Sequence, residues 1–218
     1  MKLTWLGWAS WIIETNGKRI AIDPFKGEIA EKVDLVLVSH AHPDHCDAEQ
    51  LAKIRGETTV VITPSAFAAP INAEALDVGQ EKEFAGIKIK AVPAYNLNIP
   101  NHQKGIDTGY ILKAEGKRIY FAADTDLIEE MKELENIDLA LLPVGGTYTM
   151  NLDKAVEAVG ILKPKYVVPM HYGEVDIVMG GKPIHVALPA DPQEFKRKVE
   201  EGSETEVKVL APGESFKF

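Results

Sequence analysis

Residues 33–45 read VDLVLVSHAHPDH, an apolar run that ends in three histidines and an aspartate within six residues. Val33 to Val38 is nearly continuous in Val and Leu, the pattern of a strand buried on both faces of a sheet. The cluster His40-Ala41-His42-Pro43-Asp44-His45 therefore begins where that strand stops, in the turn before the next element. Side chains there leave a rigid strand and enter the crevice at its carboxyl edge, where ligands bind in sheets of parallel strands. The chain has six histidines, so half of them fall in this one turn. Imidazole and carboxylate together suit a borderline-soft divalent ion: zinc first, with manganese or iron as alternatives.

Strand signals surround this segment. KLTWL, SWIIET and KRIAID (residues 2–23) are short β-branched and aromatic runs split by Gly7 and by Asn16-Gly17, a hairpin signal. A helix is predicted over 47–54 with Asp47 as N-cap. Strands follow over 58–63, 86–94, 108–114 and 117–124, then a short helix over 127–134 and a strand over 137–144. From Asn151 onward, Leu152, Ala155, Val156, Val159 and Leu162 fall on one helical face. A strand over 165–170 and a helix from Asp191 to Gly202, with Pro192 in its first position, precede a last strand over 206–211. No element is read between 171 and 190, and no internal repeat is evident. Residues 93–107, PAYNLNIPNHQKGID, form a long aperiodic loop of the kind that carries function. Strands predominate and helices come late in each half, which predicts two sheets with helices packed outside them.

At 218 residues the chain is expected to form one domain, residues 1–218. A hydrophobic fraction of 45% and a charged fraction of 26% exclude a disordered, collagen-like or coiled-coil protein. With 33 acidic and 24 basic residues, the net charge of −9 argues against nucleic acid and anionic membrane as partners and leaves a small-molecule substrate. Oligomerisation with copies of itself stays open. The lone Cys46 forms no intrachain disulfide, which suits a reducing compartment. The first residues lack a signal-peptide pattern. No apolar run approaches the ~18 residues of a membrane span, so a cytoplasmic protein is expected.

HAHPDH resembles the His-x-His-x-Asp-His signature of the metallo-β-lactamase superfamily of hydrolases. AADTD (122–126), VVPMHYG (167–173) and IAIDP (20–24) resemble further elements of that family in the same order, so the likeness runs from about residue 3 to 173. WLGWAS (5–10) and LLPVGGTYTMN (141–151) are most similar to the branch containing ascorbate-6-phosphate lactonase and related metal-dependent hydrolases. The resemblance implies an α/β (α+β) fold, a four-layer αββα sandwich of two mixed β-sheets with helices on the outer faces. It implies one or two divalent ions, with His40 and His42 on the first, Asp44, His45 and His171 on the second, and Asp124 bridging. Asp23 would support the site from behind the ligands. The implied activity is hydrolysis of a small ester, lactone or phosphodiester by hydroxide generated at the metal, with Asp44 and Asp124 orienting it. The alternatives are a nuclease-type phosphodiesterase acting on nucleic acid and a non-catalytic metal-binding scaffold.

The chain departs from the family pattern at two places. Asn96 stands where the family carries a histidine after Pro-Ala, and the nearest histidine is His102 in the same loop. Imidazole binds zinc-like ions better than an amide does, which favours His102 as the missing ligand over Asn96. Without it, a single ion becomes the expectation. His102 is also a candidate proton donor to the leaving group. Trp8 stands where the branch often has histidine, either as core packing or as a cavity wall. Thr147 and Thr149, after Gly145-Gly146, are candidate donors to a substrate oxygen, against a plain turn and helix cap. Asp126 reads as a support residue or an N-cap, Cys46 as a small buried residue, and His185 as a histidine without a metal role.

Overall fold

The computed structural model describes all 218 residues. The chain opens with β1 (Lys2–Gly7), β2 (Ser10–Thr15), β3 (Lys18–Ile22) and β4 (Val33–Leu37), followed by α1 (Ala48–Ile54), β5 (Arg55–Thr63), α2 (Ser65–Ala68) and β6 (Glu74–Ala75). A second series comprises β7 (Glu81–Phe84), β8 (Ile87–Pro93), β9 (Thr108–Ala114), β10 (Lys117–Phe121), β11 (Leu139–Pro143), α3 (Leu152–Leu162) and β12 (Tyr166–Met170). The chain closes with β13 (Gly173–Met179), β14 (Lys182–Leu188), α4 (Pro192–Gly202), β15 (Glu206–Val207) and β16 (Ser215–Lys217).

The strands build two seven-stranded mixed sheets, ordered β16-β1-β2-β3-β4-β5-β6 and β15-β12-β11-β10-β9-β8-β7, while β13 and β14 pair only with each other. In each large sheet the meander of consecutive strands is antiparallel. The strands that follow it pair in parallel, with α1 in the β4–β5 crossover and α3 in the β11–β12 crossover. The meander turns are set by chemistry. Asn16-Gly17 and Glu115-Gly116 both adopt left-handed φ at both positions, as a two-residue hairpin matched to strand twist requires. Helix starts are capped by side chains: Asp47 accepts from Gln50 N, Asn151 from Lys154 N and Asp191 from Gln193 N.

Three buried clusters define the layers. The largest lies between the sheets and includes Trp11, Ile20, Leu35, Ile89, Phe121 and Leu141. On the outer face of the second sheet, Ala155 and Val159 of α3 and Phe195 and Val199 of α4 pack over Tyr120 and Leu142. On the outer face of the first, Leu51 and Ile54 of α1 cover Val36 and Val61. The architecture is therefore αββα, as the sequence led us to expect. Each fully buried side chain of this size contributes roughly 1.5–3 kcal/mol. No helix is long and apolar enough to cross a membrane.

The structure corrects three sequence expectations. Residues 127–134 form no α-helix; only a 3-10 turn spans Glu129–Glu133. Residues 173–188, read as having no element, form the β13–β14 hairpin. Its signal was available, since Val175 and Ile177 alternate with Glu174 and Asp176, and the β-branched run ends at Gly180-Gly181. The two sheets also have the same order of pairing, so the chain does contain an internal repeat.

Candidate metal centre

The parallel strands of both sheets end at one edge. There β3 is followed by Asp23, β4 by His40 to His45, β10 by Asp124 and β12 by His171, while the loop after β8 brings His102. Five non-glycine residues at this edge have left-handed backbone: Trp8 (φ 54°), Asp23 (45°), Ala123 (56°), Thr147 (59°) and His171 (56°). Each costs about 1–2 kcal/mol and marks an abrupt exit from a strand, the kind of strain that gathers at functional sites. Gly145 is required by crowding, since a Cβ there would sit 2.2 Å from the His171 carbonyl oxygen.

The side chains form two triads. Ligand atoms of His40, His42 and His102 lie within 4.8 Å of one another, and so do those of Asp44, His45 and His171. His42 Nδ1 is 3.1 Å from His40 Nε2 and 3.2 Å from His102 Nε2. Asp124 faces both triads. Its Oδ1 is 3.3 Å from His45 Nε2, and its Oδ2 is 3.0 Å from His171 Nε2 and 3.4 Å from His102 Nε2. Asp44 Oδ2 lies 3.8 Å from His45 Nε2 and 3.7 Å from His171 Nε2, and it accepts the Trp8 Nε1 hydrogen at 3.0 Å.

The groups behind the triads set the histidine tautomers. Asp23 is fully buried and accepts from Ser39 N (2.8 Å), Ser39 Oγ (2.6 Å) and His45 Nδ1 (2.7 Å). Ser39 Oγ spends its hydrogen on Asp23, so it accepts from His40 Nδ1 at 2.9 Å. Asn96 donates through Nδ2 to the Tyr148 carbonyl, so its Oδ1 accepts from His102 Nδ1 at 2.7 Å and from His102 N at 3.2 Å. His40 and His102 thus carry their proton on Nδ1 and turn the Nε2 lone pair to the centre, and His45, which gives Nδ1–H to Asp23, turns its Nε2 the same way.

The donor set fits a divalent cation. His45 Nε2, Asp124 Oδ1 and both ring nitrogens of His171 are buried without a hydrogen-bond partner. The short distances to Asp124 are contacts in which no N–H is aligned on an oxygen. Orphaned buried polar atoms converging on one space are explained by an ion at that space. The electrostatics agree. Burial holds His40 well below the ordinary histidine range and brings His102 down to about 4, so both are neutral. Burial also opposes charge on Asp44 and Asp124, but His45 and His171 outweigh it, leaving Asp44 at about 2 and Asp124 well below its usual value. His45 and His171 are raised in spite of their burial, chiefly by Asp124. Burial pushes Asp23 up against the donors that face it. Protons on His45 and His171 thereby supply the positive charge that a cation would bring.

Other candidates fall elsewhere. Thr147 and Thr149 line a neighbouring cleft of about 270 Å³ with Leu97 and Lys154, and it is Tyr148 between them that borders the metal cavity. Asp126 caps no helix; it accepts from Leu97 N and pins the loop that carries His102. Cys46 is half-buried, burial pushes its thiol up to about 11, and it belongs to neither triad. His185 is exposed on β14 and bonds Asp176 at 2.9 Å. Trp8 serves as packing and wall at once, with its ring 4.3 Å from that of His171 and its edge on the cavity. Sequence reasoning missed Ser39, the residue just before the motif, and the hairpin residues Ile177, Met179, Ile184 and Val186 that line the cavity. The largest cleft, about 930 Å³, runs along the far edge of the second sheet past Gly116 and Lys163 and contains no histidine.

Comparisons with known proteins identify the family. The family described as the beta-lactamase superfamily domain matches residues 2–171. A UPF0173 metal-dependent hydrolase of Pelotomaculum thermopropionicum is 38% identical across 100% of both chains. One from Methanopyrus kandleri is 37% identical over 99% of each chain. Among solved structures, Igni18, a metallo hydrolase from the hyperthermophilic archaeon Ignicoccus hospitalis, superposes with a TM-score of 0.80 at 32% identity, covering 100% of this chain and 98% of its own.

Proposed function

The chain belongs to the metallo-β-lactamase superfamily, among its UPF0173 metal-dependent hydrolases, and from that premise we propose that it hydrolyses a small ester, lactone or phosphodiester at a two-ion centre. The observation that carries the proposal is the pair of buried triads facing one carboxylate, Asp124. In this proposal His40, His42 and His102 would hold one ion and Asp44, His45 and His171 the other, with Asp124 available to both. Zinc is favoured, because three of the first triad's three ligands are imidazoles. When bound, the ions supply Lewis acidity and bring water to a near-neutral pKa.

The remaining chemistry belongs to the chain's own groups. Asp44 and Asp124, both held ionised, accept hydrogen bonds from the attacking water and orient it. Trp8 fixes the free rotation of Asp44 through its indole N–H. Asp23 and Ser39 hold His45 and His40 in the binding tautomer. His102 gives Nδ1–H to Asn96 and turns Nε2 to the triad, which supports a ligand role and argues against it as the proton donor. Asn96 acts as its support. The cavity of about 400 Å³ is sized for a small molecule. Its walls include no Lys or Arg, which counts against a nuclease. The lone cysteine supports the reducing cytoplasm as the place of action.

The test is metal analysis combined with a substrate screen. Purified protein should carry one to two equivalents of a transition metal and hydrolyse generic esters, lactones or phosphodiesters, and Asp124→Asn should abolish turnover. Protein that binds no metal, even when zinc or manganese is added, would refute the proposal.

A further inference from the structure

We propose that the substrate is a neutral carboxylic ester or lactone bearing an apolar group, and that the β13–β14 hairpin is the element that selects it. This rests on the hydrolase reading and narrows it. The cavity over Asp44 and Asp124 has two unlike sides. One is the metal-ligand set. The other is Ile177, Met179, Ile184 and Val186 of the hairpin, with Pro100 at the loop. No lining residue is Lys or Arg, and its only carboxylates are Asp44 and Asp124. A phosphodiester keeps a full negative charge, and a phosphomonoester more; bound ions would meet the part at the reacting phosphorus, and protein sites meet the rest with guanidinium or ammonium groups. This wall offers none. An uncharged carbonyl compound needs none.

The hairpin is built as an apolar wall. Ile177 pairs across the strands with Ile184 and Val175 with Val186, while Asp176 pairs with His185 on the opposite face. Val175 and Ile177 are buried and join the central core, so the hairpin is anchored at its base. Beyond that base the apolar face stays uncovered: Met179 is 45% and Ile184 39% exposed, though both line the cavity. Of the six exposed large apolar side chains of the protein, Tyr148, Met179 and Ile184 line this cavity. Scattered apolar residues call for no explanation, but three exposed ones gathered on one cavity mark a binding site.

The reaction is balanced as a simple hydrolysis. The water oxygen adds to the carbonyl carbon, the acyl C–O bond breaks, and the water's protons end on the departing alcohol oxygen and in solution as the carboxylate forms. A lactone opens to a hydroxy acid by the same step.

The experiment uses the metal-loaded protein and two homologous series. Straight-chain alkyl hydroxamates from two to eight carbons, whose metal-chelating head stays the same along the series, are titrated calorimetrically. The p-nitrophenyl esters of the same acyl chains are compared with bis(p-nitrophenyl) phosphate in turnover. Affinity should rise about two- to fourfold per methylene until the chain fills the cavity, as expected for burying half to all of each CH2. Met179→Ser with Ile184→Ser should flatten that slope, with metal content as the check that the centre is intact. Ile184→Ser alone should flatten it in part. A flat series in the parent, an unchanged slope in the double variant, or better turnover of the phosphodiester than of every ester overturns the inference and leaves the hydrolase reading standing. Absence of metal, of hydroxamate binding and of turnover together overturns both.

Discussion

Replacing Asn96 by Ala isolates the substitution of a supporting amide for a family ligand. Asn96 is 9% and His102 3% exposed, and the 2.7 Å bond between Asn96 Oδ1 and His102 Nδ1 lies away from water. Removing the acceptor leaves a buried N–H unsatisfied, at a cost of about 1–3 kcal/mol. The cost appears when His102 is held in the metal-binding orientation, so it is paid in metal affinity. It corresponds to roughly a five- to hundredfold loss at one site, the range typical of groups that orient a ligand. His102→Ala removes the ligand itself and should reduce binding from two ions to one. His185→Ala, exposed and paired with Asp176, should match the parent. Competition titrations against a chromogenic chelator, with metal per chain counted for each variant, give both numbers. The reasoning fails if Asn96→Ala binds both ions within twofold of the parent. It also fails if Asn96→Ala loses an ion that His102→Ala keeps, because the carboxamide would then be the ligand.

Asp23→Ala frees three buried donors and should lower the stability of the metal-free protein by about 3 kcal/mol, a fall in Tm of roughly 6–12 °C read by calorimetry. Trp8→Phe keeps the ring over His171 but loses the bond to Asp44, and should weaken one ion by about fivefold, or ~1 kcal/mol, with little change in Tm. Metal binding should release protons, since the raised pKa values of His45 and His171 leave them protonated in the metal-free fold. Titrations in buffers of different ionisation enthalpy count those protons, and a count of zero would exclude His45 and His171 as ligands. Because those two values are raised on folding, their contribution to stability is complete below a pH of about 6.5 and is lost as pH rises through the folded values. The metal-free Tm should therefore fall on going alkaline, and added metal should remove that slope.

How much was legible in the sequence follows from the range of each interaction. The strands around the site were readable because their signals are local: an apolar run, an Asn-Gly turn, a cap. His40 to His45 were readable as one motif on one strand end. Asp124 and His171 came only through the family resemblance, because nothing local says that β10 and β12 end beside β4. Asn96 was readable as the departure from the family pattern, but its hold on His102 was not, since it depends on the loop folding back so that Asn96 N meets the His102 carbonyl and Asp126 anchors Leu97. Thr147 and Thr149 were misplaced by one residue's orientation: the turn at left-handed Thr147 presents Tyr148 to the cavity and the threonines to the next cleft.

The overlooked repeat explains why the centre sits where it does. Gly-Lys-Arg-Ile occurs at 17–20 and again at 116–119, each time running from a hairpin turn into the last meander strand. Asp34 Oδ2 accepts from Arg19 N at 2.9 Å in one half, and Asp138 Oδ2 accepts from Arg118 N at 2.8 Å in the other. The two hairpin tips touch, since Glu115 accepts from Asn16 N and Thr15 Oγ1. Asp23 and Asp124 follow the equivalent strands β3 and β10. One of them holds imidazoles from behind, and the other faces the ions' places. The turns after β4 and β11 are likewise equivalent, and they have diverged under opposite demands. The first has room for His40, His42, Asp44 and His45. The second passes so close to the His171 carbonyl that Gly145 can carry no side chain. A near-symmetric scaffold thus supplies a lopsided centre, with the ligands drawn mainly from the half that has the space for them.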